Sequence, residues 1–189
     1  MTSKIKVNIL ADGGDNSIIT SDGAGSFTAS SGLATGILAN TPAFQAYLSN
    51  TTVDFADGAT VKIQFDTEVL DTNSCYDNST NYRFTPTVAG KYLIYGSVNL
   101  ANNANGTAVL RQAQLLIYKN GSSNNKSYFS FATNDIQYAQ LTISSILDFN
   151  GTTDYVELYA YADVTSGTAR MFGTSDKRTF FGGFKLIGA

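Results

Sequence analysis

Apolar and polar residues alternate with a period of two over much of the chain from Pro42 onward. In the segment Ala59 to Phe65, for example, Val61 and Ile63 fall on one side of an extended chain and Lys62 falls on the other. This alternation predicts strands that bury one face, and no helical period of 3.6 residues persists, so we expect an all-β protein of roughly eight to ten strands. The other predicted strands are Gly90 to Leu100, Ala113 to Tyr118, Tyr128 to Ala132, Ile136 to Leu147, Tyr155 to Ala162 and Phe180 to Ile187.

The strand that starts at Gly90 carries apolar side chains on both of its faces. Tyr92 and Ile94 fall on one face, whereas Leu93 and Tyr95 fall on the other. The last predicted strand of the chain has the same character. A single sandwich can bury only one of these two sets, so the second set needs cover from a partner or from loops of the same chain. We favour a partner.

Residues 1–40 differ from the rest, because glycine and serine clusters separate short apolar pieces. These pieces predict brief strands joined by turns. Such a segment cannot bury a core alone, so it is either a flexible leader or a shaft that becomes ordered by docking on a neighbour. We favour the docking shaft and divide the chain into this segment and a head of residues 41–189. The predicted docking residues are Ile5, Val7, Ile9, Ile18 and Phe27.

The composition favours an assembly and excludes two classes of partner. Of the 189 residues, 43% are hydrophobic and only 14% are charged, and a surface this poor in charge is typical of one that a partner covers. The net charge of −3, without a strong lysine and arginine cluster, offers nothing to a nucleic acid or an anionic membrane. No apolar run has the length of a membrane span or of a signal-peptide core, so we expect cytoplasmic synthesis without export.

One stretch of sequence resembles the signature of C1q-like domains. Tyr76-Asp77 is followed by Arg83-Phe84-Thr85-Pro86 and then by Gly90-Lys91-Tyr92. The signature is an aromatic residue, then Phe-x-Pro, then Gly-x-Tyr at the start of a long strand. Its physical basis is that Phe84 fills the core, while Gly90 takes a backbone position that a side chain would obstruct.

Three later features agree with the same family and in the same order. Leu115 to Gly121 is similar to its strand and Asn-Gly hairpin, and Asn150 to Val156 is similar to its entry to the penultimate strand, here with an insertion. Thr179 to Leu186 resembles its closing strand. The resemblance implies a C1q/TNF-like jelly-roll sandwich that forms a homotrimer around an aromatic axis. The residues assigned to the trimer interface are Leu93, Tyr95, Phe180 and Phe184, and those assigned to the core are Phe84, Tyr92, Ile94, Val156 and Leu158.

A second resemblance covers the whole chain. Ser3 to Asn8, the leader rich in glycine and serine, and the C1q-like head together look like predicted structural proteins of bacteriophages, especially marine ones. This implies a virion protein, a tail fibre or spike subunit that docks on other virion proteins through residues 1–40. Loops such as Asn102 to Gly106 and Gly121 to Asn125 would contact a host surface glycan or protein. The alternatives are a capsid decoration protein without a receptor and a glycan-cleaving tail spike.

The sequence offers little catalytic or metal chemistry. Histidine is absent, which removes the commonest general base and metal ligand. The carboxylate pairs Asp148 with Asp154 and Asp66 with Glu68 could cut a glycan, but carboxylates at strand ends more often stabilise turns. We therefore expect no enzyme, no cofactor and no metal, with calcium at an apical site left open. The residues considered for calcium are Asp71, Asp77 and Asp163, and the lone Cys75 is expected to be a free thiol near a strand end.

Overall fold

The computed structural model describes residues 9–11, 13–24, 26–29, 40–49, 52–103, 109–130 and 136–187. Every regular element in these residues is a β-strand, which confirms the all-β prediction. None of the described residues forms a helix long and apolar enough to cross a membrane. The chain divides into two compact units, one formed by residues 1–40 and the other by residues 41–187.

The N-terminal unit contains a small antiparallel sheet. Its strands are β1 (Ile9–Ala11), β2 (Ser17–Ser21) and β3 (Phe27–Ala29), in that order. Asp22 closes the turn between β2 and β3, because its Oδ1 accepts hydrogen bonds from the backbone N–H groups of Ala24 at 2.7 Å and Ser26 at 3.0 Å. A carboxylate that caps two backbone donors in this way is a common device of glycine-rich turns.

The head is a sandwich of two antiparallel sheets. We call the seven-stranded sheet the front sheet. Its strands are β4 (Ala43–Tyr47), β5 (Thr52–Phe55), β7 (Thr67–Asp71), β10 (Gly90–Asn102), β13 (Tyr138–Phe149), β15 (Ala169–Phe172) and β16 (Phe180–Lys185). Their order is β5-β15-β10-β16-β4-β7, and β13 also pairs with β10. The longest pair, β10 and β13, is in register from Gly90↔Phe149 to Ala101↔Tyr138.

We call the six-stranded sheet the back sheet. Its strands are β6 (Thr60–Lys62), β8 (Tyr76–Asp77), β9 (Arg83–Phe84), β11 (Leu110–Lys119), β12 (Ser122–Ser130) and β14 (Val156–Val164). Their order is β12-β11-β14-β9-β8, and β6 also pairs with β14. Asn120 and Gly121 join β11 to β12 with φ angles of 52° and 77°, the backbone that a two-residue hairpin turn requires.

An aromatic cluster joins the two sheets in the core. The ring of Phe44, on β4, lies 4.2 Å from that of Phe84 on β9 and 4.8 Å from that of Phe181 on β16. The Tyr76 ring stacks on Phe44 from a further side, at 5.0 Å. Rings contributed by both sheets thus pack on one central side chain, and buried aromatic pairs of this kind add to the free energy of burial. The predicted core residues Phe84, Tyr92, Ile94, Val156 and Leu158 are all 0% exposed.

Strand boundaries differ from the sequence prediction where the chain changes sheets. β6 ends at Lys62 rather than Phe65. The backbone N–H of Ile63 still donates to the Leu158 carbonyl of β14, and the chain then leaves the back sheet and leads into β7 of the front sheet. Ile63 and Phe65 remain fully buried within this crossing. Short strands that the pattern did not predict, such as β4 and β15, complete the front sheet.

Substituting Phe44 by Ala should lower the free energy of unfolding by about 3–5 kcal/mol, because it removes the ring on which three others pack. Urea denaturation at one protein concentration measures the change. Val88→Ala, at a side chain that is 41% exposed, is the control and should change stability by less than about 0.5 kcal/mol. Equal effects of the two substitutions would contradict a core centred on Phe44.

Candidate functional site

The outer face of the front sheet is apolar at one end. Across β13, β10 and β16, Leu93 lies between Ile146 and Phe184, and Ser97 lies opposite Phe180. We call Leu93, Tyr95, Ile146, Phe180 and Phe184 the outer apolar patch. The Ile146 side chain is 58% exposed, and the other four are partly buried. The structure therefore brings together the four residues that the sequence assigned to a trimer interface.

Tyr95 lies flat across the neighbouring strand because that strand has glycine at the opposed position. A Cβ atom at Gly182 would come within 2.5 Å of Cζ of Tyr95, so only glycine leaves room for this ring. The Tyr95 and Phe180 rings meet edge to face with centroids 6.2 Å apart. Desolvation raises the pKa of the Tyr95 phenol above its ordinary value, so the patch is uncharged at neutral pH. Beside these rings a hollow of about 320 Å³ reaches the hydroxyl-bearing residues Thr142 and Ser144.

The other end of the same face is polar and is covered by the chain itself. Ser97 and Asn99 are 1% and 7% exposed. Gln140 bridges them, since its Nε2 donates to Ser97 Oγ and to the Arg178 carbonyl at 2.8 Å, and its Oε1 accepts from Asn99 Nδ2 at 2.9 Å. Self-cover, the alternative left open by the sequence, therefore applies to the polar end, whereas the outer apolar patch stays partly exposed.

The back sheet exposes aromatic side chains at its edge. β12 is the edge strand, and Tyr128 and Phe129 on it are 48% and 49% exposed. Phe129 is paired with Ala113, whose side chain is fully buried. The Phe129 side chain is therefore on the inner face of the back sheet, at the open edge of the sandwich. The head thus presents two separate apolar surfaces, one on a face and one at an edge.

The carboxylate pairs considered for catalysis have separate structural contacts. Asp148 accepts a hydrogen bond from Lys91 Nζ at 2.7 Å. Asp154 instead closes a turn, accepting from the Asn150 backbone N–H at 3.0 Å and from Asn120 Nδ2 at 2.8 Å. In the second pair, Asp66 Oδ1 accepts from the Ser49 N–H at 2.9 Å, while Glu68 is exposed on β7. Three of these four carboxylates, Asp148, Asp154 and Asp66, are therefore engaged in local structure.

The carboxylates considered for calcium also serve local structure. Asp77 accepts hydrogen bonds from the backbone N–H groups of Ser79 at 3.0 Å and Thr80 at 2.9 Å, and these bonds hold its pKa far below the ordinary value. Asp71 caps the backbone N–H of Cys75 at 3.0 Å, and the Cys75 thiol is free and buried. Asp163 lies 3.7 Å from Arg111. Among the residues that the structure describes, no three carboxylates or thiols come together around a metal-sized site.

The remaining predicted contact residues are distributed as follows. Of the docking residues, Ile9 is 52% exposed on β1, Ile18 is partly buried on β2, and Phe27 is in β3. Ile5 and Val7 lie outside the described residues, as does most of the Asn102 to Gly106 loop. Asn103 in that loop donates to Asp54 at 2.6 Å. The Gly121 to Asn125 segment is exposed at the tip and start of β12.

Solved structures with the same arrangement identify the fold. The Eiger TNF from S. frugiperda superposes with a TM-score of 0.55 at 13% identity, covering 78% of this chain and 93% of that one. The globular domain of zebrafish complement C1qA gives 0.52 at 15%, covering 77% and 98%, and murine APRIL gives 0.54 at 12%, covering 76% and 98%. The head has the TNF/C1q-like jelly-roll fold. The fold that the C1q-like motifs predicted is thereby confirmed, although no protein-family model and no curated protein matches the sequence.

Several residues of this jelly roll's outer surface were not singled out in the sequence. Ile146 belongs to a predicted strand and is separated from Ser144 and Thr142 by steps of two residues. The alternation of the strand therefore places its side chain on the same outer face as theirs. The cover over Ser97 had no comparable signal, because Gln140 and Arg178 are 38 positions apart.

Replacing Asp77 by Asn should destabilise the protein at neutral pH and have less effect as the pH falls. The pKa of Asp77 is lowered in the folded state, so its contribution is present above the unfolded pKa of about 4 and is lost in acid. Thermal unfolding from pH 7 to pH 3 measures the difference between variant and wild type. Glu68→Gln should behave oppositely, because desolvation and Asp71 raise the pKa of Glu68, so the variant gains stability at pH 7 and none in acid. A pH-independent Asp77→Asn effect would contradict this.

Proposed function

We propose that this chain is a non-enzymatic structural subunit that associates as a homotrimer through the outer apolar patch, and that the trimer projects from a virus particle as a fibre or spike. Residues 1–40 are proposed to dock on the particle, and the head is proposed to contact the host surface. The observation that carries the proposal is the patch itself, on the outer face of the front sheet.

The patch fits a contact between copies because it is apolar, preorganised and incompletely covered. Leu93 and Phe184 are opposed across β10 and β16, and Tyr95 is held against Gly182 and Phe180. A side chain whose rotamer is already fixed loses little entropy on association. Aromatic residues of this kind form the energetic centres of interfaces. The C1q-like resemblance supports the homotrimer, because it implies an axis lined by aromatic residues, and strand parity assigns the patch to that axis.

The exposed edge of the back sheet supplies a second surface that could complete the contact. Phe129 at that edge is 49% exposed and lies on a different side of the sandwich from Tyr95. Two different surfaces on one subunit make a head-to-tail contact, and such contacts close into a ring when the rotation between copies is right. In the proposed trimer, the β12 edge of each copy covers the patch of the next.

The particle attachment is supported by the character of the first 40 residues. Ile9 and Leu10 on β1 are 52% and 54% exposed, and a three-stranded sheet of this size gains stability by packing on another surface. The resemblance of the whole chain to predicted phage structural proteins supports a bacteriophage as the particle. The structural roles of Asp148, Asp154 and Asp66 favour a binding subunit over a glycan-cleaving one.

Sedimentation of the intact chain should give the mass of a trimer, and Tyr95→Glu should give a monomer, because the substitution places an unpaired charge in the buried contact. Val88→Glu, at an exposed loop side chain, is the control and should remain trimeric. Circular dichroism checks that both variants keep their strands. A monomeric wild-type chain would exclude the proposed assembly.

Particles assembled with a chain that lacks residues 1–40 should lose the protein, while the free head stays trimeric in solution. Immunogold labelling of particles that carry the intact chain should mark the tail. Label over the shell would instead support capsid decoration, and absence of the chain from purified particles would rule out both virion roles.

A further inference from the structure

The outer face of the back sheet carries a row of tyrosines on β14. Val156 and Leu158 on this strand point inward and are 0% exposed, whereas the alternate positions face outward. An outward strand face that served only solubility would carry small polar or charged residues. The outward positions here are Glu157, Tyr159 and Tyr161, and Tyr155 directly precedes the strand.

Neighbouring strands extend this row into a flat surface of rings and amides. The rings of Tyr118 and Tyr159 lie with centroids 4.1 Å apart. Gln114 is in register between Tyr161 on one side and Tyr128 on the other. The amide groups are joined to the rings, since Gln112 Nε2 donates to the Tyr128 hydroxyl at 2.8 Å. We call Tyr118, Gln114, Tyr128, Glu157, Tyr159 and Tyr161 the tyrosine face.

The buried acid at the centre of this face is fully paired. Glu157 is 4% exposed, and its Oε1 lies 2.7 Å from Lys62 Nζ. Its other oxygen accepts a hydrogen bond from the Tyr159 hydroxyl at 3.3 Å. Desolvation, together with the Glu157 charge, raises the pKa of Tyr159 to about 12, so this phenol is protonated at neutral pH. The hydrogen bond to Glu157 orients the Tyr159 hydroxyl, and the ion pair with Lys62 neutralises the Glu157 charge.

Carboxylates offset most of the other cations on the same sheet face. Arg111 lies 3.7 Å from Asp163. Arg83 is opposite Asp77 in the β8–β9 pair, and its guanidinium stacks 4.3 Å over the Tyr155 ring. Lys126 on the edge strand adds one more cation. The face therefore carries little net charge, which suits an uncharged ligand that offers apolar area for the rings and hydrogen-bonding groups for the amides and phenols.

We propose that the tyrosine face binds an uncharged polysaccharide. A pyranose ring has one face of C–H groups, which pack against the negative face of an aromatic ring, and an edge of hydroxyl groups, which bond to amides and phenols. Tyrosine suits such a site because it loses few rotamers on binding. A nucleic acid also stacks on rings but needs many cations for its phosphates, and the net charge of this protein is −3.

This inference rests on the part of the proposed function in which the head contacts a host surface, and it names the chemistry of that contact. The tyrosine face is on the back sheet, and the outer apolar patch is on the front sheet, so the two surfaces point away from each other across the sandwich. Assembly of the patch with the β12 edge would cover Tyr128 but leaves Tyr118, Tyr159 and Tyr161 open, because they lie on β11 and β14 inside that edge.

Affinity electrophoresis of the intact chain tests the site, with dextran, mannan or galactan in native gels and with alginate and poly(dT) as charged comparisons. At least one neutral polysaccharide should retard the wild type. Tyr118→Ala and Tyr161→Ala should each weaken the retardation about two- to tenfold, the usual worth of one aromatic contact. Tyr118→Phe should restore most of it, because the ring is kept. Tyr138→Ala, at a 61% exposed ring on the front sheet, should change nothing.

Retardation by none of the three neutral polysaccharides would overturn the proposal, as would retardation by alginate or poly(dT) alone. Equal losses in Tyr138→Ala and Tyr161→Ala would also overturn it, because binding would then not belong to the tyrosine face. Sedimentation of the same samples tests the assembly independently. A trimer that no polysaccharide retards would contradict the glycan site alone, and a monomer that is retarded would contradict the trimer alone.

Discussion

A two-sheet sandwich has four faces, and one chain can bury only the two that face each other. In this head the inner faces are filled by an aromatic cluster around Phe44, to which both sheets contribute. The two outer faces nevertheless carry large side chains, with Leu93 and Phe184 on the front sheet and Tyr159 on the back sheet. These rings and aliphatic side chains lie outside a complete core, so only another molecule can remove them from water. The proposed assembly covers those of the front sheet, and the proposed ligand covers those of the back sheet.

The front sheet meets this constraint in two different ways along its length. At the polar end, Gln140 joins Ser97 to the Arg178 carbonyl, so residues of the same chain close the face with hydrogen bonds. At the apolar end, the Tyr95 ring is seated on Gly182, but no comparable segment closes over it among the described residues. Hydrogen bonds within the chain suit polar groups that must stay satisfied, whereas an apolar patch gains free energy from any partner that removes it from water.

The fold could be predicted from the sequence because, in a long strand, every second residue lies on the same face and shows whether that face is buried. β10 and β14 alternate so regularly that the burial of Tyr92 and Leu158 could be predicted from parity. Strands of five residues or fewer, such as β4 and β15, offer too few positions to show a period. The end of β6 was placed too late because Ile63 and Phe65 stay inward while the chain crosses between sheets. The ion pair of Glu157 could not be predicted, since its partner Lys62 lies 95 residues away in the sequence, on another strand.

The alternation along β14 also divides the side chains of one strand into two groups with different neighbours. The side chains at positions 156, 158, 160 and 162 are fully buried and pack in the core, while Tyr159 and Tyr161 between them lie on the outer face. A substitution at either tyrosine leaves the volume of the interior unchanged. The chemistry of this outer surface can therefore be altered without repacking the fold, except at Glu157, which the buried ion pair with Lys62 ties to the structure.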